Sequence, residues 1–191
     1  DSINIYRLSI GMWTLEQEPR FTNTNGIKLE LVGVGLLIPI IPKSPIVTNE
    51  RSFKNLLKKP LSERINGLNI STMGSWCDCK TNGLVAGLMA QIHREVNGIS
   101  TVLYMNFTQK HNGLMLAMFN DSYKMNGLQI GLGNNGYRVN GLQIGLIGNH
   151  AYQMHGLQIG IYNMALDFKG LQLGIWNVND KRKLPFINWS F

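Results

Sequence analysis

Charged residues make up only 15% of this 191-residue chain, and it holds two cysteines and four histidines. No run of eighteen apolar residues occurs, which excludes a membrane-spanning helix. Cys77 and Cys79 are one residue apart. A Cys-x-Cys disulfide is strained and a metal site needs more ligands, so free thiols in the corner before Gly83 are expected. His93, His111, His150 and His155 lack the spacing of a zinc-hydrolase helix, and no Gly-x-Ser-x-Gly elbow or phosphate loop is present. His155 replaces the Asn of an Asn-Gly corner and His111 takes the place held elsewhere by Met125 and Val139, so structural roles are expected. Asp121, Asp167 and Asp180 fall in loops without convincing partners. No enzymatic site, cofactor or metal is expected. Eighteen Lys and Arg against eleven Asp and Glu give a net charge of +7. That balance would suit nucleic acid, glycan or anionic lipid, but the bases are scattered. Lys54, Lys58 and Lys59 form one loose group and Lys181, Arg182 and Lys183 another. They read as solvated loop charge, and no nucleic-acid partner is expected. The chain opens at Asp1 without methionine or signal peptide, which points to a processed N-terminus.

What the chain has is glycine in a fixed rhythm. The phrase Asn-Gly-Leu-Gln-Ile-Gly-Leu begins at Asn126 and Asn140, and close variants begin at His155 and Lys169. The first glycines of these and weaker upstream copies are Gly67, Gly83, Gly98, Gly113, Gly127, Gly141, Gly156 and Gly170. Their spacings, by subtraction, are 16, 15, 15, 14, 14, 15 and 14. Asn25–Leu31 is a further, isolated copy. A constant short period marks a repeat architecture, and this step is too short for two helices per unit. Leu142, Ile144 and Leu146 alternate with Gln143 and Gly145, which is the pattern of a strand. A second alternating run, such as Tyr152-Gln153-Met154, precedes the next Asn-Gly. Each unit thus holds two short strands, with one corner at Asn-Gly and another at an Asn-containing turn near Asn120, Asn134, Asn149, Asn163 or Asn177.

The expected fold is therefore all-β: a β-solenoid of about eight 14–16-residue units with an N-terminal cap. The alternatives are an antiparallel meander, with Asn-Gly as a hairpin turn, or a barrel. The variable step favours the solenoid, since a corner absorbs an extra residue without disturbing stacked strands. A barrel is disfavoured because strands of five to seven residues fall short of the ~9–11 a spanning strand needs. One unit buries about five apolar side chains at roughly 1.5–3 kcal/mol each. Ordering some fifteen residues costs roughly 1–2 kcal/mol apiece, so a unit cannot stand alone.

Three regions are expected: residues 1–65 as a β cap with a short helix, 66–178 as the repeat region, and 179–191 as an aromatic C-terminal cap. In the first, Ile3–Ile10 reads as a strand with Trp13 behind it, and Glu16–Asn25 as a polar loop. Val32–Ile41 is nearly continuous apolar, but Pro39, Pro42 and Pro45 bar a central strand there. It reads as a cover for the open end of the stack, the alternative being insertion into a membrane surface. Phe53, Leu56 and Leu57 have helical spacing, and Pro60 would interrupt that helix.

The glycines of the phrase (Gly127, Gly141, Gly156 and Gly170) are expected at structural corners. The aliphatics Leu128, Leu142, Leu157 and Leu171 are expected to pile up inside the coil, on the same face as Met154 and its equivalents. Gln129, Gln143, Gln158 and Gln172 should then line up on the opposite face beside Gly131, Gly145, Gly160 and Gly174. That strip is the candidate docking surface for a glycan or protein, weighed against an amide ladder that merely bonds to itself.

The phrase, repeated over residues 66–178 and strongest from Asn126 on, resembles the bacterial surface-repeat family first described in Leptospira and found among Bacteroides- and Flavobacterium-like bacteria. Val32–Pro42 and the Leu-Pro-Phe-Ile-Asn-Trp ending are similar to what flanks such repeats. Gly98–Gly113 departs from the pattern, with Ser-Thr-Val-Leu-Tyr in place of Gln-Ile-Gly-Leu. The resemblance implies an exported protein of the cell envelope, outer-membrane-associated or extracellular, and brings no catalytic residues. The functional expectation is a non-enzymatic binding or scaffold subunit with a protein partner or envelope complex, and a glycan or anionic lipid surface as further partners. The alternatives are an integral or peripheral outer-membrane β protein, and an immunity or inhibitor protein that docks a toxin.

Overall fold

The computed structural model describes residues 2–12, 21–41 and 43–191. Trp13, residues 16–20 of the expected polar loop, and Pro42 lie outside them. The chain winds as a β-solenoid of about eight turns. Its strands are β1 (Ile3–Gly11), β2 (Thr22–Glu30), β3 (Glu63–Ser71), β4 (Trp76–Ala86), β5 (Ala90–Thr101), β6 (Met105–Leu116), the continuous β7 (Phe119–Val178) and β8 (Lys183–Ser190). They form one sheet in sequence order, parallel from β1 to β7. Parallel, in-register pairing of consecutive segments rules out the meander, which requires antiparallel neighbours.

Register follows the repeat. Gly26, Gly67, Gly83, Gly98, Gly113 and Gly127 sit directly above one another. As far as Asn140 the Asn before each marker donates its amide to the preceding one, as Asn126 does to Asn112 at 2.7 Å and Asn140 to Asn126 at 3.0 Å. Bonds between Gln129, Gln143, Gln158 and Gln172 carry the register on through β7. The departure at Gly98–Gly113 does not interrupt it, because backbone pairing tolerates Ser100 and Thr101 in place of Met115 and Leu116.

The stack also reaches further toward the N-terminus than residue 66. β1 and β2 are coils in register with β3, so residues 22–25 are strand rather than loop. Residues 36–59 leave the stack, after residues 31–35 have bonded to the coils beside them, and lie along its flank instead of covering its end. Ile38, in a short 3-10 turn (Ile38–Ile40), packs on Ala90 and Ile92. Gln109 fixes the next stretch, accepting from the Val47 amide at 3.1 Å and donating to the Pro45 carbonyl at 2.9 Å. The helix expected here is α1 (Glu50–Lys58), capped by the Asn49 side chain, which accepts from the Ser52 amide at 2.8 Å. Its Phe53 stacks on Tyr123, and Tyr123, Tyr137 and Tyr152 continue the pile with ring centroids 4.7 Å apart. At the other end β8 pairs antiparallel with the last coil.

The cysteines correct the sequence reading. Cys77 and Cys79 are bonded to each other and buried, with no free thiol in the chain. A register irregularity between Cys77 and Lys80 bends β4 and brings the two Cα atoms to 5.1 Å, within bonding range. Unreduced protein unfolded in guanidinium is therefore expected to show no thiol reactive to a colorimetric reagent, and two after reduction. Two reactive thiols before reduction would remove the bridge.

Candidate docking surface

The interior of the coil is lined by amides as much as by hydrocarbon. Gln129, Gln143, Gln158 and Gln172 are fully buried. Each donates to the one before it: Gln143 to Gln129 at 2.7 Å, Gln158 to Gln143 at 2.8 Å and Gln172 to Gln158 at 2.8 Å. Asn188 of β8 caps the row by donating to Gln172 at 3.0 Å. A second inner row, Asn120, Asn134, Asn149, Asn163 and Asn177, runs in the opposite sense, each donating to the next at 2.8–2.9 Å. Its members also donate to strand carbonyls, as Asn134 does to Ile144 at 2.8 Å. The glutamine strip expected as a docking surface is thus closed to any partner. It is the self-bonding ladder, moved to the inside.

The leucines are corrected in the opposite sense. Leu128, Leu142, Leu157 and Leu171 do stand above one another, but on the outer face and only half-buried. Two residues further on, Ile130, Ile144, Ile159 and Leu173 form a second half-buried column. A third is more open, with Leu146 65%, Ile161 50% and Ile175 62% exposed. Apolar filling of the interior comes instead from Met115, Met125, Val139, Ala151, Met154, Ala165 and Phe168. Met154 and Leu157 therefore face opposite ways. Gly156 lies between them at φ +137, and alternation runs on through it, since residues three apart stand on opposite faces of a strand. Gly127, Gly141 and Gly170 take the same conformation at φ +132, +135 and +140. Alternation breaks instead after Gly136, where Tyr137 and Arg138 both reach outward, to Tyr123 and Tyr152 and to Glu50.

The outer columns run the length of the stack. Leu8, Ile27, Leu68, Leu84, Ile99 and Leu114 precede Leu128 in register. Ile10, Leu29, Ile70, Ala86, Thr101 and Leu116 precede Ile130. β8 extends both columns, setting Trp189 opposite Leu171 and Ile187 opposite Leu173. Three columns spaced about 7 Å apart over about eight coils at ~4.8 Å give a flat apolar face on the order of 800 Å². A monomer seldom exposes a contiguous patch so large without using it.

The titratable groups of the interior are sealed in. In the N-terminal coils Lys28 bridges Glu63 at 2.5 Å and Glu30 at 3.3 Å. His93 meets the Ser75 hydroxyl at 2.7 Å, and burial, with the charges of Lys28 and His111, holds it down to about 3. His111 stands in the inner column of Met125, as expected, and burial holds it at about 4. Both are neutral in the folded protein. Unfolded, each binds a proton below about 6.5, so the unfolded state gains protons first and stability falls as pH drops. By pH 5.5 the loss is expected to be on the order of 1 kcal/mol per histidine, measurable by urea unfolding at pH 7.5 and 5.5. Replacing either histidine with glutamine should flatten that dependence, and an unchanged slope would contradict these assignments.

One groove opens beside the apolar face, with a volume of about 460 Å³. Phe107, Phe119, Ile147 and Tyr162 wall it, and its polar floor is a ladder of Asp121, Asn135 and His150. Asn135 donates to Asp121 at 2.8 Å and faces the His150 Nδ1 at 2.8 Å, while Ser44 donates to Asp121 at 2.6 Å. Burial raises the Asp121 carboxyl above its usual range, against these bonds, and lowers His150. The Ser44 hydroxyl bonds to the carboxylate and not to the imidazole. Asp121 has partners after all, which the sequence did not disclose because Ser44 lies 77 residues away. Among the described residues no cluster of three metal-ligating side chains occurs, and no helix is long and apolar enough to cross a membrane.

Comparison with protein-family models, with curated proteins and with solved structures gave no match for this chain.

Proposed function

We propose that this chain is a non-enzymatic docking or scaffold protein of the bacterial envelope, and that its working surface is the outer aliphatic face. The observation that carries the reading is the inversion itself: amides share the interior with hydrocarbon while columns made mostly of Leu and Ile stand outside. A soluble rod would gain by placing those aliphatics inward. Leaving them out is costly unless something covers them. The Cys77–Cys79 bridge supports export, because structural disulfides persist in oxidising compartments. The resemblance of the repeat to envelope-protein repeats points the same way.

The experiment is fractionation of bacteria producing the full chain. Wild type is expected with the envelope. Leu146→Asn, Ile161→Asn and Ile175→Asn combined should release it while the purified variant keeps its circular dichroism and nearly its Tm, since these side chains are already exposed. A folded triple variant that still fractionates like wild type would overturn the reading.

A further inference from the structure

We infer that the aliphatic face seats the solenoid on an anionic phospholipid bilayer. The inference rests on the docking reading above and names what is docked. Hydrocarbon accepts a backbone only if its amides and carbonyls are already paired. The outer strands meet that condition coil by coil. Leu103 N–H bonds to the Leu88 carbonyl at 2.9 Å, Met118 to Leu103 at 2.9 Å and Leu132 to Met118 at 2.8 Å. The side chains in these columns are almost wholly apolar, with Thr101 and Thr72 as the polar exceptions.

The rims match the zones above and below the acyl boundary. Along one margin stand Tyr104, Phe119, Tyr162 and Trp176, the last two close to half exposed. Amphipathic rings of this kind favour the headgroup level. Along the other, beyond the row of Asn corners, Arg64, Lys80, Lys110, Lys124 and Arg138 share one register column. The acid within that run, Glu95, is held by Lys80 and Lys110 at 3.0 Å each. At the end of the face Arg182 lies 4.5 Å over the Trp189 ring, a cation set beside the first leucine column. Arg138 is held by Glu50 at 2.6 Å, and the other bases, in a chain of net charge +7, complement lipid phosphates. Two copies laid face to face with their rods antiparallel would instead bring the basic flanks together. The contact is peripheral: one layer of side chains enters the acyl boundary while the rod stays outside.

Flotation of the purified full chain with vesicles tests this. Vesicles of phosphatidylglycerol with phosphatidylcholine are expected to carry it upward. Phosphatidylcholine alone should bind several-fold less, and raising salt from about 0.1 to about 0.5 M should weaken the anionic binding several-fold. The L146N/I161N/I175N variant should lose binding by at least about tenfold. Brominated lipid should quench Trp176 and Trp189, which L146N/I161N/I175N would reverse. No flotation, flotation that ignores the triple substitution, or a stable dimer that buries the face in light scattering would each overturn the inference. If vesicles fail but the variant still leaves the envelope fraction, the docking reading stands with a protein partner and the lipid inference falls. If fractionation is also unchanged, both fall.

Discussion

Gly141→Ala is expected to destabilise the solenoid by more than about 4 kcal/mol, a fall in Tm of roughly 10 °C or more in thermal unfolding. Gly141 sits at φ +135, and a Cβ placed there would lie 2.0 Å from the Gly127 carbonyl oxygen of the neighbouring coil. The backbone conformation alone costs an L residue about 1–3 kcal/mol. The clash adds to this, because neither neighbour can move. Gly127 is stacked on Gly113, and Gly156 meets Gly141 with the same close approach. Gly133→Ala is the control. Its added Cβ would touch only the Phe119 ring, at 3.3 Å, and a ring can turn aside. A Gly141→Ala protein as stable as wild type would show that the corners are looser than the stack requires.

The second large effect reverses the usual ranking of polar and apolar substitutions. Gln143→Leu is expected to cost on the order of 3–5 kcal/mol. It removes a donor and an acceptor at once, leaving the Gln129 carbonyl oxygen and the Gln158 amide short of partners in a sealed interior. Each such group costs about 1–3 kcal/mol, and the branched Leu side chain must also fit between coils. Leu146→Gln, a change from apolar to polar in the same coil, is expected to cost under about 0.5 kcal/mol because Leu146 is 65% exposed. Urea unfolding of the two variants decides it. Equal costs, or the conventional order, would mean the amide row is not the core.

These two results also mark what the residues disclose. The coil period is legible because every turn needs the same kink, so glycine recurs at each and carries the register with it. Parallel stacking follows once a step of 14 to 16 is recognised. The facing of the strand is the reverse of the sequence expectation for a definable reason. Alternation separates Leu142 and Ile144 from Gln143 but does not say which set is inside, and hydrophobicity alone points to the wrong one. In a narrow coil a buried amide is not penalised, since the next coil supplies an identical partner at 2.7–2.8 Å. One signal in the sequence pointed the right way: Gly145 and Gly160 share a face with the glutamines. Glycine is needed where space is tight, and a Cβ at Gly145 would lie 2.7 Å from the Asn149 side chain. The basic column has a periodic signal too: Lys110, Lys124 and Arg138 keep the repeat's own spacing, so the bases look scattered along the chain but align in the stack. The flank formed by residues 36–59 has no such signal. Its attachment depends on single contacts such as Phe53 on Tyr123, seventy residues apart by subtraction.

The inversion of inside and outside is tested most directly by solvent relaxation in solution NMR. With a soluble gadolinium chelate added, the methyl groups of Leu146, Ile161 and Ile175 are expected to relax fastest among the repeat aliphatics. The side-chain amides of Gln143, Gln158 and Gln172 should stay nearly unaffected and exchange slowly with water. Rapidly relaxed glutamine amides beside protected leucine methyls would contradict the arrangement of this solenoid and every functional inference drawn from it.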